Sequence, residues 1–341
     1  MKKRIYLVLI GVCVLSLLVG AWTSTPLKAE EITLVLAGYY PPSYYKPGKP
    51  FAPVGDFVDN VNRMGKGKIK INAYWSGKLL GPRALIPGLM KGTADMIVHT
   101  GTYTAGAFPI MTFEELPFFW KSTESFYEHT RMGADIRKIL DKELEEKHGI
   151  KLVAFGAADL EPLWLGKKRV KKPKDLKGLK IRSAGIGQAW TLRAFGAAPV
   201  GMVSAEMYEG MSRGTIDGMV THQGTIYARK IYEVLGSCID ANFAGESIDY
   251  FMKKDKWDAL PQDVRDIITK AAKIYEYDMP HYDIKMRQGH FSIFREKGME
   301  IVKLTPEEKK EFKRVAKKAW KDFEKKVGSE LAGKIIKLAG H

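Results

Sequence analysis

The sequence predicts an α/β fold of two domains, and three observations carry that expectation. Segments of strand and helix character alternate along most of the chain, which indicates a largely parallel sheet with both faces covered. The length of 341 residues suits about two domains. A hydrophobic fraction of 45%, ordered punctuation and no low-complexity tract or short repeat argue for a packed globular chain.

The N-terminus has the layout of an export signal. Met1-Lys2-Lys3-Arg4 is basic and is followed by an apolar run over residues 5–22. Its 18 residues approach the length of a spanning helix, so an uncleaved anchor is the alternative. Val12 before Cys13 lacks the small residue that lipoprotein processing needs. Cleavage after Ala21 or Ala29 is expected, and residues 1–29 are assigned to a signal peptide. Its removal leaves 51 basic and 39 acidic side chains, a formal charge of +12 against +16 for the full sequence. Only Cys238 then remains, so no intrachain disulfide can form and the fold must rely on its core.

Residues 31–37 read as a first strand, ending at Gly38-Tyr39-Tyr40. Phe51, Val54, Phe57, Val58, Val61 and Met64 recur at helical spacing and predict a helix over 51–64. Ile69, Ile71, Ala73 and Trp75 alternate as in a half-buried strand. A helix over 82–91 leads to a short strand at 95–98. Residues 123–147 read as one helical stretch ending at Gly149, and 150–155 as a strand. In the second half, strands are expected near 162–168, 179–183, 199–202, 216–220 and 247–252, with helices between them and at 223–234. From Pro261, Val264, Ile267, Ile268, Ala271, Ile274 and Tyr275 keep helical period, which resumes with Ile284, Phe291 and Phe294. Pro280 lacks an N–H and clashes one turn back, so a kink is expected near 276–280. Thr305-Pro306-Glu307-Glu308 combines a capping box with Pro at the first helical position. The helix it opens carries a stripe of Phe312, Val315, Ala316, Ala319, Trp320, Phe323 and Val327.

Residues 173–222 hold the most informative run. Arg182 ends the strand Lys180-Ile181-Arg182-Ser183, just before Gly185-Ile186-Gly187 and a helix reaching about Phe195. A guanidinium offers a planar fork of donors, and a helix N-terminus adds free N–H groups and a positive dipole end. The place suits an anion. Asp175-Leu176-Lys177-Gly178-Leu179-Lys180-Ile181-Arg182, the Gly196–Met202 loop followed by Glu206, and Gly214-Thr215-Ile216-Asp217-Gly218 stand in fixed order. Upstream are Lys78-Leu79-Leu80-Gly81, Lys91-Gly92-Thr93-Ala94-Asp95-Met96 and Leu116-Pro117-Phe118; downstream is Trp257 with Leu260-Pro261. Together, over nearly the whole mature chain, this resembles the periplasmic solute-binding proteins of TRAP transporters, the DctP-type family.

That resemblance implies a periplasmic-binding-protein-like fold with a ligand cleft between its domains and a long helix crossing the hinge. It implies capture of a small organic acid, delivery to a transmembrane permease and no cofactor, and it makes Arg182 the residue that holds the ligand's carboxylate. Domain one is expected over 30–157 plus 246–285, and domain two over 158–245 plus 286–341. Ligands of such folds lie outside the carboxyl ends of the strands. The residues just past each strand are Tyr39, Tyr40, His99, Thr100, Tyr103, Trp164, Arg182, Ser204, Thr221 and His222. For Trp164, Tyr40 and His99 a place in the core is the standing alternative.

Three departures from the family pattern bear on the ligand. A second Arg common on the strand before Pro173 falls here near Pro162; an amide holder becomes Thr221; a Phe near the Pro199 loop becomes Ser204. The expected ligand is a monocarboxylate with an apolar or aromatic body, carried by a protein of the periplasm. The binding protein of an ATP-driven importer is the nearer rival, since its architecture is similar. Gly185-Ile186-Gly187 lacks the third Gly of a dinucleotide fingerprint, and no Walker loop, HExxH, CxxC pair or GxSxG elbow occurs. The seven His are scattered, so neither an enzyme nor a metal site is expected. Lys residues interleave with Glu and Asp, a solvated face rather than a nucleic-acid track.

Overall fold

The computed structural model describes residues 30–166 and 170–341. The expected export segment and the end of the strand expected at 162–168 lie outside them. Residues 32–341 form one compact unit. Among the described residues no helix is long and apolar enough to cross a membrane.

Among the described residues nine strands form one mixed sheet: β1 (Ile32–Gly38), β2 (Ile69–Tyr74), β3 (Met96–Thr100), β4 (Ile150–Leu165), β5 (Lys180–Ser183), β6 (Ala198–Gly201), β7 (Gly218–Val220), β8 (Ser237–Lys253) and β9 (Glu300–Val302). Among the described residues the α-helices of six or more residues are α1 (Ala52–Met64), α2 (Leu85–Lys91), α3 (Thr123–Thr130), α4 (Asp135–His148), α5 (Ile186–Ala194), α6 (Met207–Ser212), α7 (Gln223–Ala228), α8 (Gln262–Glu296), α9 (Pro306–Val327) and α10 (Ser329–Leu338). The strand order is β2-β1-β3-β8-β4-β7-β5-β6, with β9 beside β8.

The sheet is less parallel than its alternating pattern suggested. β1 pairs in parallel with β2 and β3, and β5 with β6 and β7. The two sets are joined by the long antiparallel pair β4–β8, which also carries β3 and β7 antiparallel on its outer edges. The strands expected at 150–155 and near 162–168 are therefore one strand. Register shifts between Ala157 and Asp159 and between Glu161 and Leu163 break its alternation, so the middle of β4 does not read as a strand. The helix expected over 123–147 is two, divided at Arg131–Ala134, where Gly133 takes φ 89°.

Four apolar clusters cover the sheet, two at each end. α3 and α4 bring Phe126, Leu140 and Leu144 against Ile97, Leu152 and Phe251. Another cluster joins Phe57 and Val61 of α1, Val98 of β3 and Ile268 and Tyr275 of α8. At the other end Leu192 and Phe195 pack with Ile181, Val220 and Phe312, and Trp164 with Met219, Phe291 and Phe294. α8 thus contributes to a core at each end, as a crossing helix must. It runs unbroken through Pro280, so the ring does not end the helix. α9 crosses too: Phe312 and Ala316 join one end's core, and Phe323 the other's, with Ala332 and Ile335 of α10. The capping box at Thr305 and Glu308 is formed as read.

Candidate functional site

The carboxyl ends of the two parallel sets meet over the middle of the β4–β8 pair. Chain reversals there bring together Tyr39, Tyr40, Thr100, Tyr103, Arg182, Ser204 and Thr221, all lining one small enclosed pocket. Tyr44, Thr102, Ala184, Thr225 and two carboxylates, Glu161 and Glu246, complete its wall. A wider chamber of about 480 Å³ adjoins it, sharing Thr102, Tyr103 and Ala184 and adding Arg83 and Arg193.

Arg182 is 2% exposed, and its place is set from three sides. Nε donates to the Met202 carbonyl at 2.9 Å, Nη1 to the Val220 carbonyl at 3.0 Å and Nη2 to Tyr103 Oη at 3.0 Å. These bonds use three of the five N–H groups and leave one on each terminal nitrogen, the pair that grips a carboxylate bidentately. Tyr103 Oη also accepts from the Ser204 backbone N–H at 3.0 Å. With two donors on its oxygen, that hydroxyl must aim its own proton elsewhere.

The expected helix N-terminus is not open to a ligand. Gly187 N–H donates to Glu115 Oε2 at 2.8 Å, so a buried carboxyl group already caps α5. The glycines of Gly185-Ile186-Gly187 make room for it: a Cβ at either would lie within 2.6 Å of Glu115 atoms. Burial pushes the Glu115 carboxyl up to about 8, against the pull of the Gly187 N–H. Arg182 itself is not solvated, because its guanidinium is built into the pocket wall.

Three of the expected residues stand outside the lining. His99 lies behind it, its ring edge-on to Tyr39 and Tyr103. Burial lowers its pKa to about 3, so it stays neutral. Trp164 is fully buried in the apolar cluster under α8, edge-on to Phe294, and its Nε1 donates to the Thr221 carbonyl at 2.7 Å. His222 caps α7, Nδ1 accepting from Gly224 N–H at 2.8 Å, and Nε2 lies 3.4 Å from Asp283 Oδ1 of α8.

Glu161 and Glu246 escaped the strand-end reading because they lie inside long strands, beside the register shifts of β4. Glu161 adjoins Pro162, where the family pattern often has its second Arg. An acid in an otherwise buried apolar strand was the available signal. Burial raises both carboxyls; the Glu246 charge raises Glu161 further, and Arg182 opposes the shift in both. Gln188 Nε2 donates to Glu161 Oε2. Thr100 Oγ1 lies 3.4 Å from Glu246 Oε1. Such a site sets one fixed cation against two carboxyls whose ionisation burial opposes, an arrangement suited to binding.

Comparisons with known proteins agree on the type. The 2,3-diketo-L-gulonate-binding periplasmic protein YiaO of Escherichia coli (strain K12) is 26% identical over 251 residues, 72% of this chain and 74% of its own. The C4-dicarboxylate-binding periplasmic protein DctP of Vibrio cholerae is 26% identical over 276 residues, 80% of this chain and 81% of its own. A TRAP periplasmic solute-binding protein of Ralstonia eutropha H16, solved with bound (S)-2-acetolactate, superposes with a TM-score of 0.79 at 22% identity, over 90% of this chain and 98% of that one. The family model of the bacterial extracellular solute-binding proteins, family 7, matches residues 51–326. The chain therefore belongs to that family, DctP, and is a TRAP-type solute-binding receptor rather than an enzyme.

Proposed function

We propose that the chain captures a monocarboxylate in the periplasm and hands it to a TRAP permease. The observation that carries the reading is the Arg182 guanidinium, buried at 2% exposure with one N–H left on each terminal nitrogen. A single buried guanidinium matches a single carboxylate. A second carboxylate would lie beside Glu161 and Glu246 across the same small pocket, where burial already disfavours ionised carboxyls. The rings of Tyr39, Tyr40, Tyr44 and Tyr103 suit a body that is largely apolar or aromatic. The relative named for C4-dicarboxylates and the neighbour holding 2-acetolactate, a monocarboxylate, mark the range within which this choice falls.

Capture is by closure. We assign residues 30–157 and 246–285 to one lobe and 158–245 with 286–322 to the other. The end of α9 and α10 return to the first lobe, since Phe323, Ala332 and Ile335 pack in its core. The register shifts of β4 at the 157–163 crossing supply the flexible joint. The ligand bridges both lobes and biases the equilibrium toward the closed form that docks on the permease. A binding protein of an ATP-driven importer would share the architecture, but the family match favours the TRAP partner.

Calorimetric titration of the processed protein with monocarboxylates, their carboxamides and succinate-like dicarboxylates tests the reading. Binding should be confined to acids and strongest for monocarboxylates. Tight binding only to succinate-like dicarboxylates would overturn it. Periplasmic protein should begin between residues 22 and 31 by intact mass, and full-length chain held in the membrane fraction would contradict export and cleavage.

A further inference from the structure

We infer that the wide chamber beside the pocket is an outer anion site, where Arg83 and Arg193 receive the entering carboxylate before Arg182 does. The inference rests on the carboxylate reading above and adds a route to it. Two chambers flank the pocket, and Pro82 and Val203 line both. The narrower, of about 220 Å³, has one charged residue, Arg229. Its Nε donates to Tyr44 Oη at 2.8 Å, and its guanidinium lies 5.2 Å from the centre of the Tyr44 ring. The wider, of about 480 Å³, has Arg83 and Arg193 as its only charged residues. Both are exposed, and neither guanidinium has a hydrogen bond or ion pair among the described residues.

The two arginines come from opposite ends of the sheet. Arg83 lies in the turn between β2 and α2, and Arg193 in the last turn of α5, between β5 and β6. The end of α5 favours a cation through its dipole, but the turn at Arg83 gives no such reason for charge. No Asp or Glu lines the chamber to offset them. A cleft lined by one sign of charge focuses the field and raises the local concentration of the opposite ion. Arg229 is less free to take this part, because Tyr44 already engages its guanidinium. Thr102, Tyr103 and Ala184 belong to both the wide chamber and the pocket wall, and Tyr103 Oη accepts from Arg182. Tyr103 thus touches both the outer chamber and the final partner of the acid. Exposed charge pairs are weak, so the outer site acts on the rate of arrival and its salt dependence rather than on how long the acid stays.

The test is stopped-flow association on the processed protein, followed by its own fluorescence, with phenylacetate, mandelate, 4-methylpentanoate and pyroglutamate as probes. In about 0.01 M salt charges act over about 30 Å. There Arg83→Gln and Arg193→Gln should each slow association of any acid that binds by roughly three- to tenfold, and the double variant should slow it further. In about 1 M salt, where the range falls to about 3 Å, the differences should close. Dissociation should stay within about twofold throughout. Arg83→Lys and Arg193→Lys should restore the wild-type rate, since steering needs charge and not the fork that Arg182 supplies. Lys270 and Lys273, exposed on α8 and lining neither chamber, provide the control. Lys270→Gln with Lys273→Gln changes the net charge as much as the double arginine variant and should leave association within about twofold. An unchanged association rate in the double arginine variant at low salt overturns the inference and leaves the carboxylate reading intact. So does an equal loss in the lysine variant, which would make the effect one of net charge, and so does a change confined to dissociation. Failure of every acid to bind wild type overturns both readings together.

Discussion

Arg182 ties three segments together before any ligand arrives: the loop at Met202, the end of β7 at Val220, and Tyr103 from the other end of the sheet. Its position at a strand end was legible from the sequence; its burial was not, because burial depends on which carbonyls face it after closure. Trp164 shows the converse. Its place past a strand suggested a cleft residue, but pairing of Leu163–Leu165 with both β7 and β8 turns its ring into the core. Trp164→Ala should therefore cost roughly 3–5 kcal/mol of stability, as large-to-small core changes do, and leave the order of preferred acids unchanged. Equilibrium urea unfolding beside ligand titration separates this from a cleft role, in which stability would hold and preference shift. Glu161 and Glu246 were illegible as a pair because they are 85 positions apart and neither ends a strand. Only the register of β4 on β8 brings them into one wall.

Elements with a strong period were legible to within a few residues. α1, the stripe of α9 and the run of α8 follow from apolar spacing of 3–4 residues, and the Thr305 cap from its own chemistry. The β4–β8 ribbon was not legible, since register shifts and buried acids erase both alternation and an apolar run. Among the described residues that ribbon links the two parallel sets, so the proposed closure would turn about it. On that proposal, the contacts that would hold the closed form join Tyr103 and Tyr44 to the other set of strands. Tyr103 Oη accepts from Arg182 and Ser204, and Arg229 Nε donates to Tyr44 Oη at 2.8 Å. Tyr103→Phe keeps the ring and removes two of these bonds, one of them to a charged donor. Dissociation of a bound acid should quicken roughly 30-fold to several hundred-fold while association changes little, since hydrogen bonds of this kind are each worth about 1–2 kcal/mol and act mainly on the off-rate. Stopped-flow measurement of both rates checks this; an unchanged off-rate would show that the Tyr103 contacts do not hold the cleft shut.

At the scale of the molecule, the buried carboxyls set the pH response. Glu115 ionises near 8 in the folded chain against an ordinary 4.5, Asp249 near 8 against 3.8, and Glu114 and Glu161 are raised well above their ordinary value, each through burial first. Between the two values the folded chain holds protons that the unfolded chain has released. Stability is therefore lost as pH rises through that window. His99, lowered to about 3, acts in the opposite sense below about 6.5, where the unfolded chain binds the proton. The unliganded protein should unfold at a lower temperature at pH 9 than at pH 6.5, and Glu115→Gln should narrow the difference. Calorimetric scans at the two pH values decide it, and a higher midpoint at pH 9 would contradict the assignment of these groups as protonated.

The central claim is that one buried guanidinium captures a carboxylate within a closing cleft. Titration of the tightest-binding acid into wild type, Arg182→Ala and Arg182→Lys tests it most directly. Removing one partner of a buried charge pair costs about 2–5 kcal/mol, so affinity should fall roughly 30-fold to several thousand-fold in Arg182→Ala. Arg182→Lys should recover only part of that, because an ammonium restores the charge without the fork. Arg182→Ala should also lower the stability of the unliganded chain by about 1–3 kcal/mol, since the Met202 and Val220 carbonyls lose their donor. Near-normal affinity in a folded Arg182→Ala protein would contradict the carboxylate clamp on which the account rests.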